Sequence, residues 1–474
     1  MPPRSEAVAA RSSLGLPPAQ RRWASVTIGI AVGMATLDSA IANTALPIIA
    51  RDLHATAAAS VWVVNAYQLA MIATLLPLAA LGDIVGHRRV YAWGLLPFTV
   101  ASLGCALAWS LPSLAFARVI QGIGASAAMS VNTALIRFSY PPERLGFGVG
   151  LNAMIVGTAF AIGPTVASMI LSVGPWPWLF AVNVPFGVVA LVLAGRTLPP
   201  SPPANYRFAR VVATLVTVTF AVLVFGLEEA AHGGTLPHVV PLLVVAAMLA
   251  VVLLRAQKGH PAPMLPVDLF RRPQFALSSA TAIAAFAAQG IAFVALPFFF
   301  QHTLGRSVVE TGFLMTPWPA ITAIMAPIAG GLSDRYPAGI LGGIGMAILS
   351  VGLLSLVWLP ADPGALAIGW RMAVCGAGFG FYQSPNLRAI MSSAPPERAG
   401  GASGIVAVSR LLGQTTGAAL VAFCFGVSDR SGPLIAIGLG AGFAAVSAVI
   451  SASRLAAPTS APRPAARRTH PPGR

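Results

Sequence analysis

The chain has 474 residues, of which 56% are hydrophobic and only 9% are charged. A soluble protein carries about 25% charged residues, so this composition excludes an ordinary water-soluble domain and indicates that lipid is the solvent. The formal net charge of +16 does not indicate nucleic-acid binding, because the basic residues fall in short segments between apolar runs.

The apolar runs predict fourteen membrane-spanning helices, since a helix needs about 20 apolar residues to cross a bilayer. Their length and lack of strict alternation exclude a β-barrel, the other fold that satisfies its backbone polar groups in lipid. The polar N-terminus lacks the apolar core of a signal peptide. The predicted spans are residues 24–50, 60–81, 90–110, 113–137, 147–172, 178–195, 209–227, 236–254, 275–300, 309–332, 339–359, 364–391, 402–426 and 433–454.

The distribution of arginine predicts that both termini lie in the cytoplasm. Most of the 29 basic residues fall in the tails and in the loops of one side, and only Arg51, Arg306 and Arg430 fall in loops of the other side. Basic residues are enriched in cytoplasmic loops. A single lysine and the richness in alanine, glycine and proline point to a GC-rich bacterial genome. We therefore expect a multi-pass protein of the bacterial inner membrane.

An internal repeat predicts the domain organisation. The segment PPERLGFGVG at 141–150 resembles PPERAGGASG at 395–404. Parallel repeats of this kind are a known plan of transporters. Spans 1–6 then match spans 9–14, and spans 7 and 8 form an inserted pair. The predicted units are a cytoplasmic tail at 1–23, a six-helix bundle at 24–195, inserted helices at 196–274, a second six-helix bundle at 275–454 and a disordered tail at 455–474.

Three segments carry a family resemblance. LGDIVGHRRVY at 81–91 predicts a tight turn with Asp83 at a span end, within reach of Arg88, Arg89 or a neighbouring helix N-terminus. RVIQGIG at 118–124 places an arginine inside span 4, and VGTAFAIGP at 156–164 places small residues and a proline in span 5. Together these segments resemble the loop 2–3, fourth-span and fifth-span antiporter motifs of the major facilitator superfamily.

Further segments resemble the fourteen-span drug:proton antiporters within that superfamily. They include LDSAIANTALPII at 37–49, WPWLFAVNVPFG at 176–187 and SGIVAVSRLLGQTTG at 403–417. One departure concerns packing, because Ala167 and Ser168 stand where the antiporter motif often has glycines. The resemblance implies an all-α major facilitator fold and proton-coupled export of lipophilic, cationic compounds by alternating access.

Asp38 is the strongest single candidate for the mechanism. It lies in the middle of span 1, where a charged side chain costs about 2.5–3.5 kcal/mol on insertion scales. We expect Asp38 and Arg118 to couple the proton to the substrate, and a purely structural acid–arginine pair is the alternative. The resemblance implies that the residues controlling conformational gating are Gly82, Asp83, Gly86, Arg88, Arg89, Gly157, Gly163, Pro164 and Arg410.

Polar and aromatic residues in the spans could line a substrate cavity, although packing between helices is the alternative for the aromatic ones. The candidates are Asn43, Asn65, Tyr67, Gln68, Gln289, Trp318 and Asn386. The sequence does not assign roles to Arg371, Glu228, Glu229 or Glu310, nor a specific role to Arg410.

Three functions remain open on sequence alone. The first is proton-coupled export of many compounds, driven by the proton gradient, since no nucleotide-binding P-loop is visible. The second is export of a single antibiotic or natural product. The third is a polytopic membrane enzyme, which the scattered histidines disfavour. For the exporter we expect no cofactor, metal or nucleic acid, a small-molecule substrate and protons as ligands, and a monomer in the bilayer.

Overall fold

The computed structural model describes the chain in residues 15–141, 144–201, 209–231, 236–258, 265–333, 335–360, 362–394, 399–428 and 431–456. Within these ranges every regular element is a helix, in agreement with the predicted all-α class. The predicted disordered tail lies outside the described residues from position 457 onward, and the N-terminal tail lies outside them up to position 14. Parts of both PPER segments also fall outside them.

The long helices are labelled α1 to α14 in chain order. Helices α2, α6 and α10 each consist of two helical segments joined at a single residue, and α9 ends in the π-helical turn Phe299–Thr303. Their bounds are α1 Pro18–Asp52, α2 Ala57–Val85, α3 His87–Ala106, α4 Leu111–Ser139, α5 Leu145–Val173, α6 Trp178–Thr197, α7 Arg210–Ala231, α8 Leu236–Ala256, α9 Pro273–Thr303, α10 Val308–Leu332, α11 Ala338–Val357, α12 Ala365–Ser393, α13 Ala399–Val427 and α14 Gly432–Ser453.

Twelve helices among the described residues are long and apolar enough to cross a membrane. Helices α3 and α12 are not among them, so the prediction of fourteen spans is not supported. The physical reason is their composition. Helix α3 begins with His87, Arg88 and Arg89, and α12 contains Arg371 and Arg388, so both are less apolar than their neighbours.

Local sequence explains where several helices begin. Ser110 forms a capping box with Ser113 at the start of α4, and Ser307 forms one with Glu310 at the start of α10. Gly86 separates α2 from α3 with a φ of 100°, a conformation that favours glycine. The tight turn predicted at 81–91 is therefore present and reverses the chain within one residue.

The bundle has two faces because successive long helices run in opposite directions. The terminal face is the end where the described chain begins and finishes. There the backbone N–H of Leu16 donates to the carbonyl of Ser139 at 3.0 Å, and the amide of Gln274 donates to the carbonyl of Arg454 at 2.9 Å. The distal face is the opposite end, where loops join α1 to α2 and α9 to α10. The arginine distribution predicts that the terminal face is cytoplasmic.

Two helices of the first half, α1 to α6, recur in the second half, α9 to α14, at the same spacing. Helix α12 begins 254 residues after α4, and α13 begins 254 residues after α5. All four helices are 29 residues long. This agreement in position and length matches the internal repeat read from the sequence.

Helix α9 lies at the centre of the larger hydrophobic cluster, and its residues are buried along nearly the whole length. Helices α7 and α8 lie at the side of the bundle. Phe225 of α7 packs against Trp62 of α2, with ring centroids 6.1 Å apart, and Gly226 approaches Leu242 and Leu243 of α8. Much of α8 is exposed, as expected for a helix whose apolar surface faces lipid.

Candidate functional site

A buried ion pair joins α1 to α4 in the middle of the first half. The guanidinium Nη1 of Arg118 donates to the carboxylate Oδ2 of Asp38. Both side chains are almost wholly buried, at 0% and 1% exposure. A charge in such a place needs a partner because desolvation penalises it strongly. The structure thus brings together the two residues that the sequence predicted as the coupling pair.

Three uncharged side chains complete the network around this pair. The other carboxylate oxygen of Asp38 accepts hydrogen bonds from Gln121 at 2.9 Å and from Asn183 of α6 at 2.7 Å. Gln121 also accepts from Arg118 at 2.6 Å, and its amide donates to Ser102 of α3 at 2.9 Å. Four helices of the first half therefore hold the carboxylate of Asp38 in a fixed position.

Arg118 makes further contacts with α2. Its Nε donates to the carbonyl of Val63 at 2.8 Å, and its guanidinium carbon lies 4.2 Å from the ring centroid of Tyr67. The phenol of Tyr67 donates to the carbonyl of Ala35 at 3.4 Å. The Nη2 of Arg118 is buried and has no hydrogen-bond partner among the described residues. The two N–H groups of this nitrogen are therefore unpaired within the described network, and such a position suits an ordered water molecule.

Small residues of α4 allow this close packing. A side chain at Gly122 would collide with the backbone of Tyr67, and one at Gly124 would collide with the backbone of Phe98. Arg118 and Gln121 are three residues apart, a spacing that places both on one side of α4. The fourth-span segment RVIQGIG therefore supplies the polar side chains that bind Asp38 and also the glycines that let neighbouring helices approach α4 closely.

Two of the predicted cavity residues, Gln68 and Gln289, form hydrogen bonds with helix α13. The side chain of Gln68 in α2 accepts a hydrogen bond from Thr415 of α13 at 3.1 Å. Gln289 of α9 accepts one from Gln414 of α13 at 3.3 Å. The two glutamines thus contact adjacent residues of α13 where the two halves meet.

Two asparagines among the predicted cavity residues have unsatisfied side-chain atoms. Asn65 of α2 is 0% exposed, and neither its Nδ2 nor its Oδ1 has a hydrogen-bond partner among the described residues. The Oδ1 of Asn43 in α1 is also buried without such a partner. Buried polar atoms are normally paired, so these positions suit water or a polar ligand.

Trp318 and Asn386 lie elsewhere in the second half. Trp318 is fully buried and its ring centroid lies 5.3 Å from that of Phe293, within the larger hydrophobic cluster. Asn386 accepts a hydrogen bond from Arg454 at 2.8 Å and donates to the carbonyl of Ser278 at 3.1 Å, near the terminal face. The structure therefore separates these two residues from the Asp38 network.

Comparison with known proteins places the chain in a family. Residues 28–418 match the family model of the Major Facilitator Superfamily. The chain belongs to that superfamily. It is 50% identical over 448 residues to the uncharacterized transporter YebQ of Escherichia coli (strain K12), covering 94% of this chain and 98% of the relative.

The chain is also similar to a second transporter in sequence and to a solved transporter in structure. It is 30% identical over 401 residues to the multidrug resistance protein Stp of Mycobacterium tuberculosis (strain CDC 1551 / Oshkosh), covering 84% and 74% of the two chains. A bacterial homolog of the human lysosomal transporter Spinster, crystallised in an inward-facing and unoccupied conformation, has a TM-score of 0.67 at 15% identity. That similarity covers 93% of this chain and 98% of the other. Membership of the Major Facilitator Superfamily identifies a transporter rather than a membrane enzyme.

The VGTAFAIGP segment of α5 and the residues that follow it contact both α1 and α10. A side chain at Gly163 would collide with Ala40 of α1, and one at Gly312 of α10 would collide with Pro164 and Ser168. Ser168 donates to the carbonyl of Val308 at 3.0 Å, so the serine that replaces a glycine adds a contact between the halves. Around Gly157 there is open space, so this glycine is not needed for close helix packing.

The charged residues in the loop between α2 and α3 contact three separate partners. Asp83 pairs with His87 at 3.1 Å, whereas Arg88 donates to the carbonyl of Gly195 and Arg89 to the carbonyl of Val85. The turn at Gly86 brings His87, the first residue of α3, next to Asp83 near the end of α2. Gly82 closely approaches Val131 of α4. The predicted gating loop thus connects the start of α3 to the end of α6.

Sequence reasoning missed the two amides that hold Asp38, Gln121 and Asn183. Both lie inside segments that carried the family resemblance, RVIQGIG and WPWLFAVNVPFG. Gln121 and Asn183 are polar residues within apolar spans, which is a signal that the sequence contains. The sequence does not show that both side chains bind the carboxylate of Asp38. Gln414 and Thr415 were missed in the same way, since GQTT at 413–416 gives no direction for its side chains.

Proposed function

We propose that the protein is a proton-coupled antiporter that exports lipophilic compounds across a bacterial inner membrane by alternating access. The observation that supports this most strongly is the buried network in which Arg118, Gln121 and Asn183 converge on the carboxylate of Asp38. A buried ionisable group inside a membrane span marks a pathway for ions or substrates more often than a packing contact.

Asp38 is suited to a proton-binding role by its isolation. Among the described residues within the middle of the spans it is the single acid, since the other acidic side chains lie at helix ends or in loops. Protonation of Asp38 would break its ion pair with Arg118, so that the guanidinium could form hydrogen bonds with other groups. Proton binding would therefore change the contacts between α1 and α4.

The drug-like character of the substrate is supported by the relative Stp, whose name records multidrug resistance. The resemblance also led us to expect cationic substrates. Asp38, the acid on which that expectation rested, is neutralised by Arg118, so the described interior offers no unpaired carboxylate to a cation. The described interior therefore supports a lipophilic substrate without specifying its charge.

Helices α3 and α12 also cross the membrane in this proposal, which gives fourteen spans with both termini in the cytoplasm. Their close packing supports it, because α3 meets α4 at Gly94 and α12 meets α11 at Gly378. Single cysteines introduced at Arg88 and at Trp109, at opposite ends of α3, test it. A membrane-impermeant thiol reagent should label them from opposite sides, and labelling from one side would contradict the crossing.

Transport in inverted membrane vesicles tests the antiport. An imposed pH gradient, acidic inside, should drive accumulation of several lipophilic compounds from a chemically varied panel. Asp38→Asn should abolish this accumulation while exchange without a gradient persists, because the variant cannot release a proton. Asp52→Asn is the matched control, since Asp52 lies on the same helix and its side chain is 44% exposed.

Two results would contradict the proposal. The first is accumulation that does not depend on the pH gradient. The second is full gradient-driven accumulation by Asp38→Asn at equal amounts of protein in the membrane. Accumulation of one compound alone would instead favour a dedicated exporter, the second transport function that the sequence leaves open.

A further inference from the structure

The charges within the membrane spans do not balance. Well inside the helices lie one acid, Asp38, and the arginines Arg118, Arg371 and Arg410. Asp38 is paired with Arg118. Arg371 of α12, at nearly the same depth as Arg118 in α4, donates to backbone carbonyls of Ser355 and Ala367. Arg410 is therefore the arginine of this set that has neither a carboxylate nor a backbone carbonyl as a partner among the described residues.

Arg410 lies where the two halves meet. It precedes Gln414 by four residues, which places both on one side of α13. Gln414 reaches α9 through Gln289, and the next residue, Thr415, reaches α2 through Gln68. This junction of α2, α9 and α13 contains two of the residues predicted to line the substrate cavity.

The helix that carries Arg410 also contacts the helix beside the proton-binding network. Gln68, which accepts the hydrogen bond from Thr415 of α13, directly follows Tyr67 in α2. The ring of Tyr67 packs on the guanidinium of Arg118, so α2 connects the junction at α13 to the pair of Asp38 and Arg118. A ligand bound at Arg410 would therefore be close to the residue that we propose to carry the proton.

Arg410 makes no ion pair or hydrogen bond with any described residue, and its surface is partly exposed. Arginine stays charged at all relevant pH values. An arginine held within a bilayer without a partner is costly, and such residues face a cavity or bind a ligand. The side chain is therefore both accessible and in need of an anion or water.

We propose that Arg410 binds an anionic group of the exported compound, so that the preferred substrates are lipophilic anions or zwitterions rather than simple cations. This inference rests on the proposed function and names the substrate class of the same transporter. A planar guanidinium pairs well with a carboxylate through two parallel hydrogen bonds. Asn65, three residues before Gln68 and therefore on the same side of α2, has unsatisfied amide atoms that could bind neutral polar groups of the same compound.

Two dyes with the same xanthene core but opposite charge provide the test. Fluorescein is an anion at pH 7.5, and rhodamine 123 is a cation. Binding to the purified full-length protein in detergent, followed by fluorescence anisotropy, should be tighter for fluorescein. Arg410→Gln should weaken fluorescein binding by about ten-fold, the scale of one charged hydrogen bond, and should not weaken rhodamine 123 binding.

Two further variants distinguish the loss of positive charge at Arg410 from a general effect on folding. Arg410→Lys keeps the positive charge and should retain most of the preference for fluorescein. Arg371→Gln removes a span arginine whose described donors already reach backbone carbonyls, and should leave the preference unchanged. Equal or tighter binding of rhodamine 123 by the wild-type protein would overturn the inference, as would an unchanged preference in a folded Arg410→Gln variant.

Transport of the same dyes distinguishes failure of the inference from failure of the proposed function. Gradient-driven accumulation of rhodamine 123 but not of fluorescein would leave the antiporter standing and refute the anionic substrate. Tight fluorescein binding without gradient-driven accumulation of either dye would support the anion site and contradict proton-coupled export. Dye amounts are measured after extraction from the vesicles at a fixed pH, because the emission of fluorescein depends on pH.

Discussion

The hydroxyl oxygens of Thr165 in α5 and Thr316 in α10 lie 2.6 Å apart across the boundary between the two halves. This contact lies on the distal side of α5, together with the hydrogen bond from Ser168 to the carbonyl of Val308. Open space surrounds Gly157, two turns towards the terminal face. The recorded contacts between α5 and α10 therefore concentrate towards the distal face.

Locking this contact is expected to stop transport. Oxidation of the double variant Thr165→Cys with Thr316→Cys should join α5 to α10, since side chains this close suit disulfide geometry. Alternating access requires the halves to separate on this side, so accumulation in vesicles should cease and return after reduction. The native cysteines, Cys105, Cys375 and Cys424, are buried. The two single variants are the controls, and undiminished transport by fully cross-linked protein would disprove the role of this boundary.

The ion pair of Asp38 and Arg118 is expected to behave as a coupled unit in stability. Asp38→Asn alone should destabilise the protein by about 3–5 kcal/mol, because it leaves the guanidinium buried without its carboxylate. Adding Arg118→Gln removes that charge, so the double variant should melt at a higher temperature than either single variant. Thermal unfolding in detergent measures this. Additive losses in the double variant would show that the two residues do not interact.

Two glycines of the VGTAFAIGP segment in α5 should respond differently to substitution by alanine. Gly163→Ala places a methyl group against Ala40 of α1, and overpacking of this kind costs about 1–3 kcal/mol. Its melting temperature should fall. Gly157→Ala meets no atom within 4 Å and should not lower it, since alanine also favours the helix. Equal effects of the two substitutions would mean that α1 and α5 do not approach closely at Gly163.

Gly86 is expected to be required for its backbone conformation rather than for space. Gly86→Ala should cost about 1–3 kcal/mol, the usual range for a residue held in a sparsely populated conformation. The nearest atom to an added methyl group is the hydroxyl oxygen of Ser201 at 3.6 Å, so no collision contributes. Gly195→Ala, in open space, is the control. A melting temperature for Gly86→Ala equal to that of Gly195→Ala would show that the turn tolerates other conformations.

Much of the fold followed from local properties of the chain. Apolar length located the helices, and the repeat of PPER segments anticipated the spacing of 254 residues that separates α4 from α12 and α5 from α13. The count of spans did not follow, because the arginines of α3 and α12 leave those helices near the limit of apolarity. Composition alone is a poor guide to whether such helices cross the membrane, because neighbouring helices in the bundle shield part of their surface from lipid.

The sequence by itself determined that Asp38 and Arg118 are charges inside apolar spans, because their cost in lipid is a property of each residue and its flanking run. Only the tertiary structure decided that they pair and that Gln121 and Asn183 hold the same carboxylate. Asp38 is separated from Arg118 by 80 residues and from Asn183 by 145. The directions of these side chains depend on how α1, α4 and α6 pack, and that packing is set by small residues whose contacts lie far away in the chain.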